Sequence, residues 1–128
     1  MLNPEFLIRS ILGPIKKGIR PLVCAVEVTA DLLFIQHIPM DDVVATRQVY
    51  AVVAAKLHKS PGTASRAIYR LIECCWACKD LARLEEIIGK SPLLCEQTPW
   101  NMLVYLACYA YLEEPFFKVI ERMPQLLF

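Results

Sequence analysis

Arg66, Tyr69 and Arg70 lie one helical turn apart, close to Thr63 and Ser65, in a stretch without a single acid. A guanidinium presents a rigid fork of donors that matches the O6 and N7 atoms of guanine or two oxygens of a phosphate, and hydroxyls add single hydrogen bonds. Lys56 and Lys59 come just before this group. Lysine adds point charges suited to a phosphate backbone. The set therefore has the chemistry needed to read and grip double-stranded DNA. Charge along the chain supports this. Residues 43–72 hold five bases (Arg47, Lys56, Lys59, Arg66 and Arg70) and no acid, while residues 80–128 hold seven acids against four bases. The whole chain carries a formal charge of only +1, so its positive excess is gathered in one segment and long-range attraction to nucleic acid is modest.

Other chemistries find less support. Six cysteines lie at positions 24, 74, 75, 78, 95 and 108, and Cys75 and Cys78 have the spacing of half a zinc site. No second close pair completes it, and Cys95, Cys108, His37 and His58 are scattered, so no metal is expected and the thiols read as small apolar residues. Neither histidine has a carboxylate or cysteine at useful spacing, and no glycine-rich phosphate loop occurs. Neither an enzyme nor a cofactor is expected.

The elements that must hold these residues read as helices. At 128 residues, 56% hydrophobic and 21% charged, the chain is one domain, rich enough in apolar side chains for a sizeable core. Its longest apolar stretches, 22–38 and 100–112, are interrupted by charge or too short to cross a bilayer, and no secretory signal is visible, so a cytoplasmic location and free thiols are expected. Proline and glycine set the boundaries. Helices are expected over 4–12, 21–36, 43–58, 61–79, 81–88, 100–113 and 116–123, with Asp41 or Asp42 capping the third, Ser60 and Pro61 opening the fourth and Gly89 stopping the fifth. The fold class is thus an all-α, compact single-domain bundle of about six or seven helices spanning 1–128, with a helix-turn-helix at about 43–79. In the fourth helix Ala67, Ile68, Leu71, Ile72, Cys75 and Trp76 form an apolar stripe, and Ser65, Arg66, Tyr69, Arg70 and Glu73 a polar one. That polar stripe is either a recognition surface or an ordinary solvated face. The greasy 100–113 helix is either buried or paired with another subunit.

Two runs carry a family resemblance. Val49-Tyr50-Ala51-Val52-Val53-Ala54-Ala55-Lys56-Leu57, followed by Arg66-Ala67-Ile68-Tyr69-Arg70-Leu71-Ile72-Glu73-Cys74-Cys75-Trp76, resembles the C-terminal effector domain of the sporulation response regulator family, stage zero sporulation protein A. Arg66, Ala67, Ile68, Ile72, Glu73 and Trp76 fit that family's recognition-helix pattern without a gap, and the similarity spans roughly residues 11–114. It implies an all-helical domain that binds promoter DNA, with Arg66 reading a base and Arg70 at a DNA-facing position. Thr63 and Ser65 stand where the family has a second arginine and an acid, and Tyr69 replaces a further base, so the core-forming half of the motif is kept and the reading half in part. The family also carries a phosphoacceptor domain, which a chain beginning at the first effector helix is expected to lack, either naturally or by trimming.

Two functions follow as expectations. The first is a DNA-binding transcriptional regulator using Arg66, Arg70, Tyr69, Ser65, Thr63, Lys59 and Lys56. The alternative is a protein-interaction or dimerisation module on the same scaffold, partnered by a second copy or another regulatory protein.

Overall fold

The computed structural model describes residues 1–14 and 18–127, and all described secondary structure is helical. Seven α-helices follow in order: α1 (Pro4–Leu12), α2 (Arg20–Ala30), α3 (Ala51–Lys56), α4 (Pro61–Trp76), α5 (Leu81–Ile88), α6 (Pro99–Leu112) and α7 (Phe116–Arg122). Two π-helical segments extend them. Asp31–Ile35 continues α2 and Thr46–Tyr50 leads into α3, each with helical backbone at the junction. Phe128, the last residue of the apolar C-terminus, lies outside the described residues.

Short polar side chains close the helix starts. The Asn3 side chain accepts from the Glu5 N–H at 2.8 Å, Ser60 Oγ from Thr63 at 3.2 Å, Asp80 from Arg83 at 3.0 Å and Thr98 from Asn101 at 3.1 Å. Each satisfies an amide that has no partner within the helix, a contribution of about 1 kcal/mol. Pro4, Pro61 and Pro99 occupy first-turn positions where a missing N–H costs nothing.

Three expected boundaries move. Asp41 and Asp42 lie in a 3-10 turn, Met40–Asp42, too far ahead of the third helix to reach its first amides. Gln48 does that work instead, its Oε1 accepting from the Val44 N–H at 2.6 Å. The third helix stops at Lys56 rather than at 58, and α4 stops at Trp76 rather than at 79. Beyond α4 the chain is tied elsewhere: the Trp76 indole donates to the Thr98 carbonyl at 3.1 Å, and the Cys78 thiol to the Ile11 carbonyl at 3.2 Å.

The core is built around α6. Met102 through Cys108 are all buried, as is Ala110, so this helix has no single outward face. It packs on α1, α2, α4, α5 and α7. Its apolar residues are therefore used within the chain, which resolves the sequence alternative in favour of burial. The second hub, α2, contacts α1, α3, α4 and α6 through residues that include Leu22, Ala25 and Val26. The C-terminal turn Pro124–Leu126 closes the far end of α2 beside Leu33, His37 and Ile38, and the Leu127 carbonyl accepts from the Asp41 N–H at 3.4 Å.

Gly89 ends α5 at φ +101°, and a Cβ there would sit 3.0 Å from Pro115 Cβ and 3.2 Å from Phe117 Cβ. A left-handed backbone costs an L-residue roughly 1–2 kcal/mol, before any crowding is counted. Gly89→Ala is therefore expected to destabilise the domain by at least about 2 kcal/mol. The measurement is the urea midpoint at unchanged m-value, and a midpoint equal to that of the parent would refute the packing described for this corner.

Candidate nucleic-acid interface

Four residues, 57–60, separate α3 from α4, and their geometry follows from hydrogen bonds at the end of α3. The His58 N–H donates to the Ala55 carbonyl at 3.3 Å and the Lys59 N–H to the Ala54 carbonyl at 2.9 Å. His58 itself has φ +56°. This paired pattern around one left-handed residue is a Schellman closure, usually built on glycine. Histidine is among the residues that tolerate the region better than most. Two residues later Ser60 caps α4. The turn is thus fixed from both sides.

Side-chain burial then fixes how α4 is rotated. Ala64, Ile68, Leu71, Ile72 and Cys75 are buried, and the helix packs on α2, α3 and α6. Thr63, Arg66, Tyr69, Arg70 and Glu73 are exposed, and Ser65 is half-buried. Arg66 and Arg70 lie on the solvent side, and neither is among the residues that line the crevice at the C-terminal turn. Among the described residues neither makes an ion pair, and the same holds for Lys59. An Arg66 Nη lies 3.4 Å from where a Cβ on Gly62 would be, so its guanidinium leans back over the first turn of α4. Helical side chains lean towards the N-terminus, and glycine at i−4 leaves that path open.

Tyr69 has a second role. Its ring meets Tyr50 edge-on at 5.3 Å between centroids, bridging α4 and the end of the Thr46–Tyr50 segment. Tyr50 is buried, and burial first, then the neighbouring Tyr69, raises its phenol above the ordinary value. Such edge contacts are worth about 0.5–1.5 kcal/mol beyond area burial and hold the angle between the two helices. Sequence reading missed Tyr50 and Gly62 as supports. The Gly62–Arg66 spacing of four could have signalled the latter, but nothing local pairs Tyr50 with Tyr69.

The structure splits the expected site residues into two groups. Lys59, Thr63, Ser65, Arg66, Tyr69 and Arg70 belong to the turn and α4. Lys56 instead lines a cleft between α2 and α3 with Glu27 and Asp31, joined there by Arg47, a base of the same segment that was not among the expected site residues. Opposite charges across that cleft attenuate the two cations as phosphate ligands.

The remaining candidates part company. Cys75 is buried in the core, while Cys78 turns to the Ile11 carbonyl, so the half zinc site is not assembled. His37 and His58 are exposed and both occupy left-handed positions after helices. No group of three or more His, Cys, Asp or Glu side chains that could hold a metal occurs among the described residues, and none of their helices is long and apolar enough to cross a membrane. No known family model, curated protein or solved structure matches the chain.

Burial pushes the thiols of Cys75 and Cys108 up to about 12, with neighbouring thiols adding to the first and Glu114 to the second. Cys74 is exposed on the outer side of α4. Thiolate is the reactive form. An alkylating reagent at mildly alkaline pH is therefore expected to modify Cys74 in the folded protein, and Cys75 and Cys108 only after unfolding. Peptide mass mapping with and without denaturant reads this directly, and fast native labelling of Cys75 would contradict the rotation of α4.

Proposed function

We propose that the domain is a sequence-specific DNA-binding regulator in which α3, the turn and α4 act as a helix-turn-helix. The observation that carries this reading is the pair Arg66 and Arg70, both exposed and without an ion partner among the described residues, on a helix whose opposite side is seated in the core. Recognition helices present residues of their N-terminal half to base edges while the preceding helix crosses the backbone. Thr63 and Arg66 occupy that half of α4 and Arg70 follows one turn after Arg66, with Lys59 in the turn before the helix. The positive end of the α4 dipole points the same way and favours phosphate. On this reading Arg66 reads a base, Arg70 and Lys59 hold phosphates, and Tyr69 sets the angle of α4. The resemblance to the sporulation response regulator effector supports the same assignment through Arg66, Glu73 and Trp76.

A second reading, a dimerisation or protein-docking module, draws on exposed apolar side chains. Phe6 is 73% exposed, and Leu93 and Leu94 are 75% and 73% exposed in the turn before α6. Isolated apolar residues on a surface are common. The cationic face of α4 has no role in this second reading, so the first is preferred.

The test is a fluorescence-anisotropy titration of the protein against duplexes selected from a random pool. Arg66→Ala is expected to lose about 1–3 kcal/mol of discrimination at one base position, while Lys59→Ala weakens all duplexes alike and lowers the salt slope by about 1. Equal weak affinity for every duplex, unchanged by Arg66→Ala, would sink the proposal. A stable dimer by sedimentation in that case would favour the second reading.

A further inference from the structure

Apart from the face of α4, a cleft beside α2 has a charge arrangement of its own. It encloses about 630 Å3 between α2 with its π-helical extension and the chain segment that runs through Thr46–Tyr50 into α3. Glu27 and Asp31, four residues apart on one helix, set two carboxylates side by side on one wall. Arg47 and Lys56 set two cations on the other. All four side chains are exposed, and none forms an ion pair among the described residues. Leu32, buried, and Val52, half-buried, supply apolar surface between the walls.

We propose that this cleft binds a small zwitterion, a short peptide with free amino and carboxylate ends and an aliphatic side chain. A ligand of single charge would meet one attractive and one repulsive wall, whereas a molecule charged oppositely at its two ends is attracted at both. No ion pair joins the two walls among the described residues, so the charges of both are open to a ligand. The ammonium end faces Glu27 and Asp31, the carboxylate end faces Arg47 and Lys56, and the aliphatic side chain covers Leu32 and Val52. The volume falls in the range of about 300–1,000 Å3 usual for ligand sites. Both walls also contain π-helical turns, Asp31–Ile35 and Thr46–Tyr50, with Asp31 and Arg47 inside them. Such widened turns redirect side chains and recur at functional sites. The proposal is independent of DNA binding, because it uses none of the residues on the outer face of α4.

Calorimetric titration of the whole chain with leucyl-leucine tests it, with N-acetyl-leucyl-leucine amide as the uncharged comparison. Saturable one-to-one binding of the free dipeptide is expected, with the blocked peptide at least about tenfold weaker. Glu27→Gln and Arg47→Gln are each expected to weaken binding by about tenfold or more, while Glu85→Gln on the exposed side of α5 leaves it unchanged. Circular dichroism of each variant establishes that it is folded, and methyl shifts of Leu32 and Val52 on titration place the ligand. Absence of saturable heat up to about 10 mM dipeptide overturns the proposal. Equal binding of the blocked peptide does so too, as do folded Glu27→Gln and Arg47→Gln proteins with parental affinity.

Discussion

Rotation of α4 about its own axis is the constraint on which the outer surface depends. Ile68, Leu71 and Ile72 are all but completely buried, and each contributes roughly 1.5–3 kcal/mol by leaving water. Turning the helix by half a revolution would expose all three and force Arg66 and Arg70 into the core, where an unpaired charge costs several kcal/mol more. The two penalties have the same sign, so the domain has one orientation for α4. Because α6 is apolar on every side, it accepts that stripe without competing for solvent.

The helix before it is held differently. In α3 and the segment leading into it, Val49, Tyr50, Val53 and Ala54 face inwards, while Arg47 and Lys56 line a cleft with Glu27 and Asp31. Attractions between exposed charges of this kind are worth little and fade with salt. Beside the direct packing of α3 on α4, local devices fix their relative placement: the Schellman closure at His58, the Ser60 cap and the Tyr50–Tyr69 edge contact. Together these can supply only a few kcal/mol, but they act on a turn of four residues, where little freedom remains to be removed.

Helix number and the inward stripe of α4 were legible because burial imposes a 3.6-residue period and proline, serine and glycine mark the ends. Pro4, Pro61 and Gly89 act as expected. Boundaries set by tertiary ties were not legible. The end of α4 at Trp76 depends on Thr98, twenty-two residues away, and on Ile11 through Cys78. Asp41 looked like a cap because a carboxylate can fill that role, yet the 3-10 turn at Met40 set it out of reach and gave the work to Gln48. The division of the basic residues was equally hidden. A count along the chain joins Lys56 to Lys59, but a helix end lies between them and turns them to different surroundings.

That division bears on how a nearly neutral protein could select a DNA site. With Arg47 and Lys56 opposed by carboxylates, the cations of the α4 face reduce to Lys59, Arg66 and Arg70, so the proposed reading implies little counterion release and a low non-specific affinity. On the proposed reading, discrimination must then come from contact geometry rather than from field strength. The structure of α4 suits that demand: its inner side is locked, and Tyr69 is held by Tyr50 rather than swinging freely. A side chain fixed before binding loses less entropy on docking. Few charges on a rigid helix favour selectivity over strength, and the balance of the two is set by packing inside the domain as much as by the residues that reach outwards.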